Sequence, residues 1–271
     1  MSTLSRDGSP GSKRIARALR LLRTGLCFLY FGVGVWLTGA VVVPILRRTR
    51  WRGLPPEAIT LRTQRVVHLF CRSFLVCMTR VMRLVHMQWI GAEALSRGPV
   101  LVVANHPSLI DTPLLLAAMP QADFIVSPDW LRVGWLRPII EAANYLRAED
   151  GAAVVRQAVQ RLRAGRSVVV YPEGSRTPPE GLRPFQRGAA HIALRAGCDV
   201  LPVLISVAPR ALMQGERWTD FPLENPVFRI EVGEPIRPTL PVGGEGRALA
   251  ARRLTGVLEE HFEKRWERGR S

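Results

Sequence analysis

Short apolar runs that alternate with helical stretches most strongly constrain the fold of this chain. Two of these runs, residues 100–104 and 168–171, are rich in valine and end at turn residues, which is typical of buried strands. Such strands are predicted at residues 87–90, 100–104, 124–126, 168–171, 200–205 and 229–232. Helical patterns at 152–164 and 189–196 lie between them. This alternation predicts an α/β fold with a mostly parallel mixed sheet flanked by helices.

The amino-terminal part of the chain has a different character. Residues 25–46 carry no charge, and at about 1.5 Å per residue a helix of this length can cross a bilayer. Residues 61–85 form an amphipathic pattern in which arginines interrupt an apolar face, as in helices that lie in a membrane interface. We therefore predict a hydrophobic and amphipathic helical membrane anchor. A buried core helix is the alternative for residues 25–46.

The charge balance indicates the kind of partner. The formal net charge is +16, which suits either nucleic acid or anionic lipid headgroups. Basic residues cluster at 6–23 and 47–52, on both sides of the apolar segment, and the chain contains no RNA- or DNA-binding motif. We therefore expect membrane lipids as partners and no nucleic acid. Because arginines lie on both flanks, their distribution favours no orientation across the membrane.

A histidine motif directly follows the second predicted strand. Residues 104–111 read Ala-Asn-His-Pro-Ser-Leu-Ile-Asp, in which an aspartate can orient the ring of a histidine that acts as general base. His106 is expected at the carboxyl end of a strand, where open α/β sheets place their chemistry. Ser108 is expected to cap the next helix, with Asp111 in its first turn. A turn histidine with Asp111 as a helix cap is the alternative from this motif alone.

A second polar turn follows the strand at 168–171. Residues 172–177 read Pro-Glu-Gly-Ser-Arg-Thr. Arg176 suits an anionic group because its planar guanidinium donates two parallel hydrogen bonds, and Gly174 lets the backbone approach a ligand closely. Glu173 is expected to hold Arg176 or to accept a hydrogen bond from an acceptor hydroxyl. A surface turn with a Glu–Arg ion pair is the alternative if this segment is taken alone.

Two further segments complete a pattern. Residues 185–188 read Phe-Gln-Arg-Gly, and the strand at 200–205 carries Pro202. In this order and spacing the four segments resemble the glycerolipid acyltransferase family, over roughly residues 85–238. The resemblance implies that His106 takes the proton from an acceptor hydroxyl as it attacks an acyl thioester. It also implies that Asp111 stabilises the imidazolium that forms.

The resemblance also implies an acceptor pocket. In the family this pocket includes a Glu-Gly pair, an arginine that grips phosphate and a Phe-x-x-Gly block, here matched by Glu173, Gly174, Ser175, Arg176, Phe185, Arg187 and Gly188. This chain departs from the family pattern in the central block. The lysine of that block is absent here, and Arg147 is the counterpart of its arginine. Because that block binds the acceptor's glycerol phosphate in the family, the departure leaves the acceptor open.

The expected organisation has three parts: a basic segment at 1–24, a membrane anchor at 25–86 and an acyltransferase domain at 87–271. Within the anchor we expect the apolar helix at 25–46 and the amphipathic helix at 61–85. Residues 243–246 form a short linker. A helical apolar stripe follows it and is expected to pack on the domain, through Leu254, Val257, Leu258, Phe262 and Trp266.

The expected function is a membrane-bound acyltransferase that moves a fatty acyl group from acyl-CoA or acyl carrier protein to a lysophospholipid hydroxyl. The expected acceptor is 1-acyl-glycerol-3-phosphate, which gives phosphatidic acid. The alternatives are a different lyso-lipid acceptor in a specialised pathway, a lysophospholipid hydrolase and a non-enzymatic lipid carrier. Direct transfer is favoured because the chain has no Gly-x-Ser-x-Gly nucleophile motif.

Neither a cofactor nor a metal is expected, because the thioester donor is a co-substrate and no histidine or cysteine pair has ligand spacing. The four cysteines have no redox spacing and are expected to be reduced. The expected location is the cell inner membrane, with the catalytic face towards the cytoplasm.

Overall fold

The computed structural model of the chain describes residues 10–48, 53, 55–148, 151–239 and 246–268. Within these residues a seven-stranded sheet forms from β1 (His86–Ile90), β2 (Leu101–Ala104), β3 (Ala122–Val126), β4 (Leu146–Arg147), β5 (Ser167–Val170), β6 (Val200–Ala208) and β7 (Val227–Val232). The strand order is β1-β7-β6-β2-β5-β3-β4. Neighbouring strands are parallel except for the antiparallel pair β6–β7.

The predicted α/β class with a mostly parallel mixed sheet is therefore confirmed. The sequence did not predict β4, because two residues are too short to produce an apolar pattern. The helices are α1 (Pro10–Leu37), α2 (Val43–Arg48), α3 (Pro56–Val76), α4 (Asp111–Ala118), α5 (Asp129–Arg132), α6 (Arg137–Ala142), α7 (Gly151–Arg163), α8 (Gly188–Ala196) and α9 (Arg247–Arg268).

The boundaries of the two amino-terminal helices differ from the prediction. A π-helical turn, Thr38–Val42, joins α1 to α2, so one helical path runs from Pro10 to Arg48 and includes basic residues that were placed before the helix. This path is long and apolar enough to cross a membrane. The predicted helix at 61–85 instead starts at Pro56, because proline suits the first helical turn. It ends in a π-helical turn, Cys77–Val81.

Three predicted features lie partly outside the described residues. They are residues 1–9 of the basic segment, residues 49–52 of the second basic flank and residues 243–245 of the linker.

Helices cover both faces of the sheet. Along β2, Val102 and Ala104 pack in one apolar cluster, while Leu101 and Val103 pack in the other. This alternation follows from the two-residue period of a strand. The first cluster contains Cys27 of α1, together with residues of α3 and α4, and the second contains α7, α8 and α9.

The carboxyl-terminal stripe packs mainly as predicted. Leu254, Leu258 and Phe262 are buried in the second cluster, and Trp266 packs against it. Val257 instead faces outward and is exposed.

A buried polar network ties α3 to the sheet. Asp123 on β3 is fully buried and accepts hydrogen bonds from Arg166 Nε at 2.6 Å and Nη2 at 2.9 Å. Gln64 of α3 donates its amide to Asp123 Oδ1 at 3.0 Å and to the Ala143 carbonyl at 2.9 Å. Arg166 Nη2 also donates to Gln64 Oε1 at 3.0 Å. Because each buried polar group finds a partner here, α3 has a fixed position against the sheet.

Candidate active site

The loop after β2 starts with an asparagine that imitates a backbone amide. Asn105 is fully buried; its side chain donates to the Ile205 carbonyl at 2.9 Å and accepts the Ile205 N–H at 2.7 Å. This pair extends the contact between β2 and β6 beyond the last strand residue. It places His106 at the carboxyl edge of the parallel strands, as expected. The sequence assigned no role to Asn105, because its partner lies 100 residues away.

The structure brings His106 and Asp111 together. His106 Nδ1 lies 2.9 Å from Asp111 Oδ2, the carboxylate is fully buried and the imidazole is 16% exposed. Asp111 Oδ2 also accepts the Ser108 N–H at 2.6 Å, and Oδ1 accepts the Ser108 hydroxyl at 2.7 Å. A carboxylate at Nδ1 favours the tautomer that carries its proton there, which leaves the lone pair on Nε2 for a substrate.

Ser108 does not cap α4, so that part of the prediction is wrong. The helix begins at Asp111, and the residue at its cap is Ile110, which makes no side-chain cap hydrogen bond. The Ser108 hydroxyl instead accepts the Ile110 N–H at 3.2 Å and donates to Asp111. Ser108 therefore fixes the orientation of the carboxylate.

The sequence did not identify the aromatic ring that packs on His106. Tyr171 directly follows β5, and its ring lies 4.4 Å from the imidazole between centroids, at an interplanar angle of 19°. Its hydroxyl lies 3.2 Å from Thr112 Oγ1 on α4, and burial raises the pKa of this phenol. The available signal was its place at the end of a strand next to β2.

The loops after β2 and β5 are joined through Thr177. Its backbone N–H donates to the His106 carbonyl at 2.7 Å, and its Oγ1 accepts the His106 N–H at 3.0 Å. The Thr177 hydroxyl donates to Glu173 Oε1. Two loops that are distant in sequence therefore hold one another beside the imidazole.

Glu173 does not hold Arg176, contrary to one expectation. Its carboxylate is buried and accepts the N–H groups of His106 at 3.3 Å and Arg183 at 3.0 Å, besides the Thr177 hydroxyl. Burial raises the pKa of Glu173, while these hydrogen bonds act in the opposite direction. The carboxylate thus faces the interior of the loops rather than an acceptor hydroxyl.

The Phe-Gln-Arg-Gly block packs against this turn. Gly174 has φ of +71°, a left-handed conformation that favours glycine, and the end of the Gln186 side chain lies over it. Phe185 is buried with its ring edge on Phe262, 5.2 Å between centroids, so it supports the block from beneath instead of lining a pocket. Gly188 begins α8.

Only some of the predicted acceptor residues have side chains that are accessible to a substrate. Ser175 and Arg187 are exposed, and Arg176 is half-buried. Arg147 lies on β4, three strands from β2 in the sheet order, which is about 14 Å at the usual strand spacing. Its guanidinium lies 3.8 Å from Glu141. The structure therefore does not bring Arg147 to the His106 loop.

The segment that joins β6 to β7 supports the His106 loop from the other side. The Leu109 N–H donates to the Leu212 carbonyl at 3.0 Å, and Ser108 forms an antiparallel bridge with Met213. Glu216 accepts the Met213 N–H at 2.8 Å. Leu212 has φ of +60°, a conformation that is uncommon for a branched side chain. The sequence contained no signal for this contact.

Comparison with known proteins places this arrangement among acyltransferases. A family model described as Acyltransferase matches residues 86–206. The lyso-ornithine lipid O-acyltransferase of Pseudomonas aeruginosa is 31% identical over 196 residues, which are 71% of this chain and 68% of that protein. The 1-acyl-sn-glycerol-3-phosphate acyltransferase of the same organism is 25% identical over 243 residues, 86% of each protein.

A solved structure shares the fold. The crystal structure of the 1-acyl-sn-glycerophosphate (LPA) acyltransferase PlsC from Thermotoga maritima has a TM-score of 0.64 and 22% sequence identity. The match covers 90% of this chain and 98% of that one.

Proposed function

Because the chain belongs to the glycerolipid acyltransferase family, we propose that it moves a fatty acyl group from an acyl thioester to a lyso-lipid hydroxyl, with His106 as general base. The observation that carries this proposal is the 2.9 Å contact between His106 Nδ1 and the buried carboxylate of Asp111. That contact leaves Nε2 as the basic atom and places a negative charge where an imidazolium forms.

The proposed reaction is a direct transfer. The acceptor oxygen attacks the thioester carbonyl carbon while His106 Nε2 takes the hydroxyl proton. The tetrahedral intermediate then collapses, the carbon–sulfur bond breaks, and the imidazolium returns its proton to the leaving thiolate. The products are an ester and a free thiol. Acyl-CoA and acyl carrier protein are both proposed donors, because each presents the same thioester.

We assign Arg176 to the acceptor headgroup, with Ser175 and Arg187 beside it. Arg176 directly precedes Thr177, whose hydroxyl accepts the His106 N–H, and a half-buried guanidinium can bind phosphate or carboxylate with two parallel hydrogen bonds. Glu173 and Phe185 act as supports of this loop, given their buried contacts. Arg147 lies three strands from β2 in the sheet order, so we assign it to the acceptor only if the bound acceptor extends that far from His106.

Two acceptors remain as candidates. The first is 1-acyl-glycerol-3-phosphate, supported by the relative that matches most of this chain. The second is a lyso-lipid without phosphate, supported by the similarity to a lyso-ornithine lipid acyltransferase, since an ornithine headgroup carries an amine and a carboxylate instead. The altered central block, which retains only Arg147, fits the second candidate as well as the first.

A panel of acceptors tests both candidates. Purified enzyme is given acyl-CoA or acyl carrier protein thioesters with lysophosphatidic acid, lyso-ornithine lipid and other lyso-lipids, and both ester and thiol are measured. Arg176→Ala is expected to raise KM for phosphate-bearing acceptors by more than tenfold. An equal loss for acceptors whose headgroup carries neither phosphate nor carboxylate contradicts the contact of Arg176 with an anionic headgroup. Release of free fatty acid from a lyso-lipid in the absence of a thioester supports the hydrolase alternative.

We also propose a monotopic anchor on the cytoplasmic face of the inner membrane. One face of the Pro10–Arg48 helical path contacts the catalytic fold at widely separated points. Arg20 Nε donates to the Pro222 carbonyl at 3.0 Å, Gly25 lies against the Trp218 ring, and Gly39 lies against the Trp135 carbonyl. A helix that crossed about 30 Å of hydrocarbon could not keep such contacts with a domain in water. A cysteine introduced near the amino terminus provides a thiol for labelling. Its labelling from the periplasmic side of intact cells would overturn this arrangement.

A further inference from the structure

The helix α1 carries an apolar stripe on its outer face. Side chains three and four residues apart lie on one side of a helix, and here that side is exposed: Ile15, Leu19, Leu22, Leu26, Leu29 and Val33. The stripe extends into the basic part of the helix, where exposed Arg23 borders it, and exposed Arg17 lies on the other side of α1. We call these six residues the α1 stripe.

Arg20 attaches a second segment to this helix. Its Nε donates to the Pro222 carbonyl at 3.0 Å, and its Nη1 donates to Asn225 Oδ1 at 2.6 Å. Its Nη2 donates to the Glu224 carbonyl at 3.1 Å, and the guanidinium lies 5.0 Å from the centroid of the Phe221 ring. Four residues of the β6–β7 connection thus hold one buried side chain of α1, so the connection has a fixed place beside the helix.

The attached segment also exposes large apolar side chains. Trp218 is 47% exposed, although its ring also packs on Gly25 of α1, 3.6 Å from the position of a Cβ there. Leu223 is 54% exposed and lies beside Arg17 and Leu21 of α1. Because Trp218 adjoins the α1 stripe at Gly25, the two form a larger exposed apolar surface, which is typical of a membrane or protein contact.

We propose that residues 209–226 form a second membrane contact. It inserts Trp218, next to the α1 stripe, and Leu223, next to Leu21 of α1, into the boundary between the headgroups and acyl chains of an anionic bilayer. This inference rests on the proposed action on lipid acceptors. Tryptophan favours that boundary. The connection itself carries two arginines and three acids, so the attraction to anionic headgroups comes from α1, where Arg17 and Arg23 are exposed. A second copy of the chain fits less well, because pairing two such surfaces brings arginines against arginines.

The position of this connection gives the contact a role in delivering substrate. Its far end holds the His106 loop through the Leu109–Leu212 hydrogen bond of 3.0 Å and the Ser108–Met213 bridge. Leu109 is itself exposed next to His106. One segment therefore touches the bilayer at Trp218 and Leu223 and the catalytic loop at its other end. The proposed bilayer contact is thus linked through one connection to the loop that carries the general base.

The experiment compares acceptors in two physical states. Wild type, Leu223→Glu and Trp218→Ala are assayed with a long-chain acceptor in phosphatidylglycerol–phosphatidylethanolamine vesicles and with a short-chain acceptor dissolved as monomers. The control is Leu249→Glu on α9, because Leu249 is 57% exposed on the opposite face of the sheet. Vesicle binding is measured by co-sedimentation for each protein.

Leu223→Glu is expected to reduce vesicle binding and the rate with vesicle acceptor about tenfold, and Trp218→Ala about fivefold. Both are expected to keep the wild-type rate with the monomeric acceptor, and Leu249→Glu is expected to match wild type in both assays. Equal rates on vesicles for all variants, or a dimer that Leu223→Glu dissociates, would overturn the membrane contact. A wild-type protein that acylates neither acceptor contradicts the proposed function instead.

Discussion

Replacing Asp111 by asparagine is expected to slow acyl transfer by about tenfold and to leave the site geometry unchanged. The reason lies in Ser108. Its backbone N–H donates to Asp111 Oδ2 at 2.6 Å, so an asparagine must place its carbonyl oxygen there and its NH2 group at the other position. In that orientation the oxygen still accepts from His106 Nδ1, and the NH2 group donates to the Ser108 hydroxyl, which rotates to accept. The histidine keeps its tautomer and loses only the neighbouring charge.

The magnitude follows from the kind of hydrogen bond that remains. A hydrogen bond to a charged group contributes about 1.5–3 kcal/mol, and a neutral one about 0.5–1.5 kcal/mol. The difference of about 1.4 kcal/mol corresponds to a factor of about ten in rate. Removing the base itself with His106→Ala is expected to cost about 10²–10⁴ in rate. Asp111→Ala is expected to lower the rate by more than Asp111→Asn does, because it also leaves the buried Ser108 N–H without its acceptor.

The assay is kcat at saturating donor and acceptor for the wild type and the three variants, with Ser108→Ala as the matched control. This control removes the 2.7 Å hydroxyl contact to Asp111 but keeps the backbone N–H that selects the amide orientation. It is expected to lower kcat about threefold or less. If Asp111→Asn is as slow as His106→Ala, the amide has not adopted the orientation that Ser108 selects. If it is as fast as wild type, no imidazolium charge is stabilised at this site.

Three further substitutions test other parts of the structure. Tyr171→Leu removes the stacked ring and is expected to lower kcat about threefold to tenfold, while Tyr171→Phe restores it, as single-turnover kinetics can measure. Asp123→Ala leaves buried Arg166 without its carboxylate and is expected to lower the free energy of unfolding by about 3–5 kcal/mol, whereas an unchanged denaturation midpoint contradicts a structural role. Glu173→Gln tests pH dependence. Burial raises the folded-state pKa of Glu173, so its contribution to stability is present below its usual pKa of 4.5 and is lost as pH rises through the folded value. Denaturation at a series of pH values should therefore show the stability of Glu173→Gln gaining on wild type as pH rises, and a constant difference would refute the effect of burial.

The strands were predictable because each central strand is buried on both faces and is therefore a continuous apolar run. Val102 and Val103 face opposite clusters, yet both are buried, so β2 appears in the sequence as uninterrupted valine and leucine. The β4 strand, Leu146–Arg147, has only one hydrogen-bonded neighbour and two residues, and it left no such signal. Local pattern thus predicted the strands of four or more residues, including the edge strand β1, and missed β4, which is too short to produce a pattern.

The site shows the same division between local and distant contacts. The pairing of His106 with Asp111 spans five positions, and the spacing alone suggested it. The contacts of Thr177 with His106 and of Tyr171 with the imidazole join segments more than sixty positions apart. Glu173 was expected to hold Arg176 or to accept a hydrogen bond from an acceptor hydroxyl, but its hydrogen-bond donors are His106 from the loop after β2 and Thr177 and Arg183 from the loop after β5.

Hydropathy alone could not separate the anchor from the core, because lipid and protein interior both remove methylene groups from water. The polar residues of the anchor provide the distinction. Arg20 and Gln64 are buried, and each finds its partners in the catalytic fold, whereas the α1 stripe has no polar member. Cys27 and Phe74 share one apolar cluster with β2. Since one side of these helices completes the core and the other side is apolar and exposed, truncation before residue 86 would uncover the core instead of releasing a soluble enzyme.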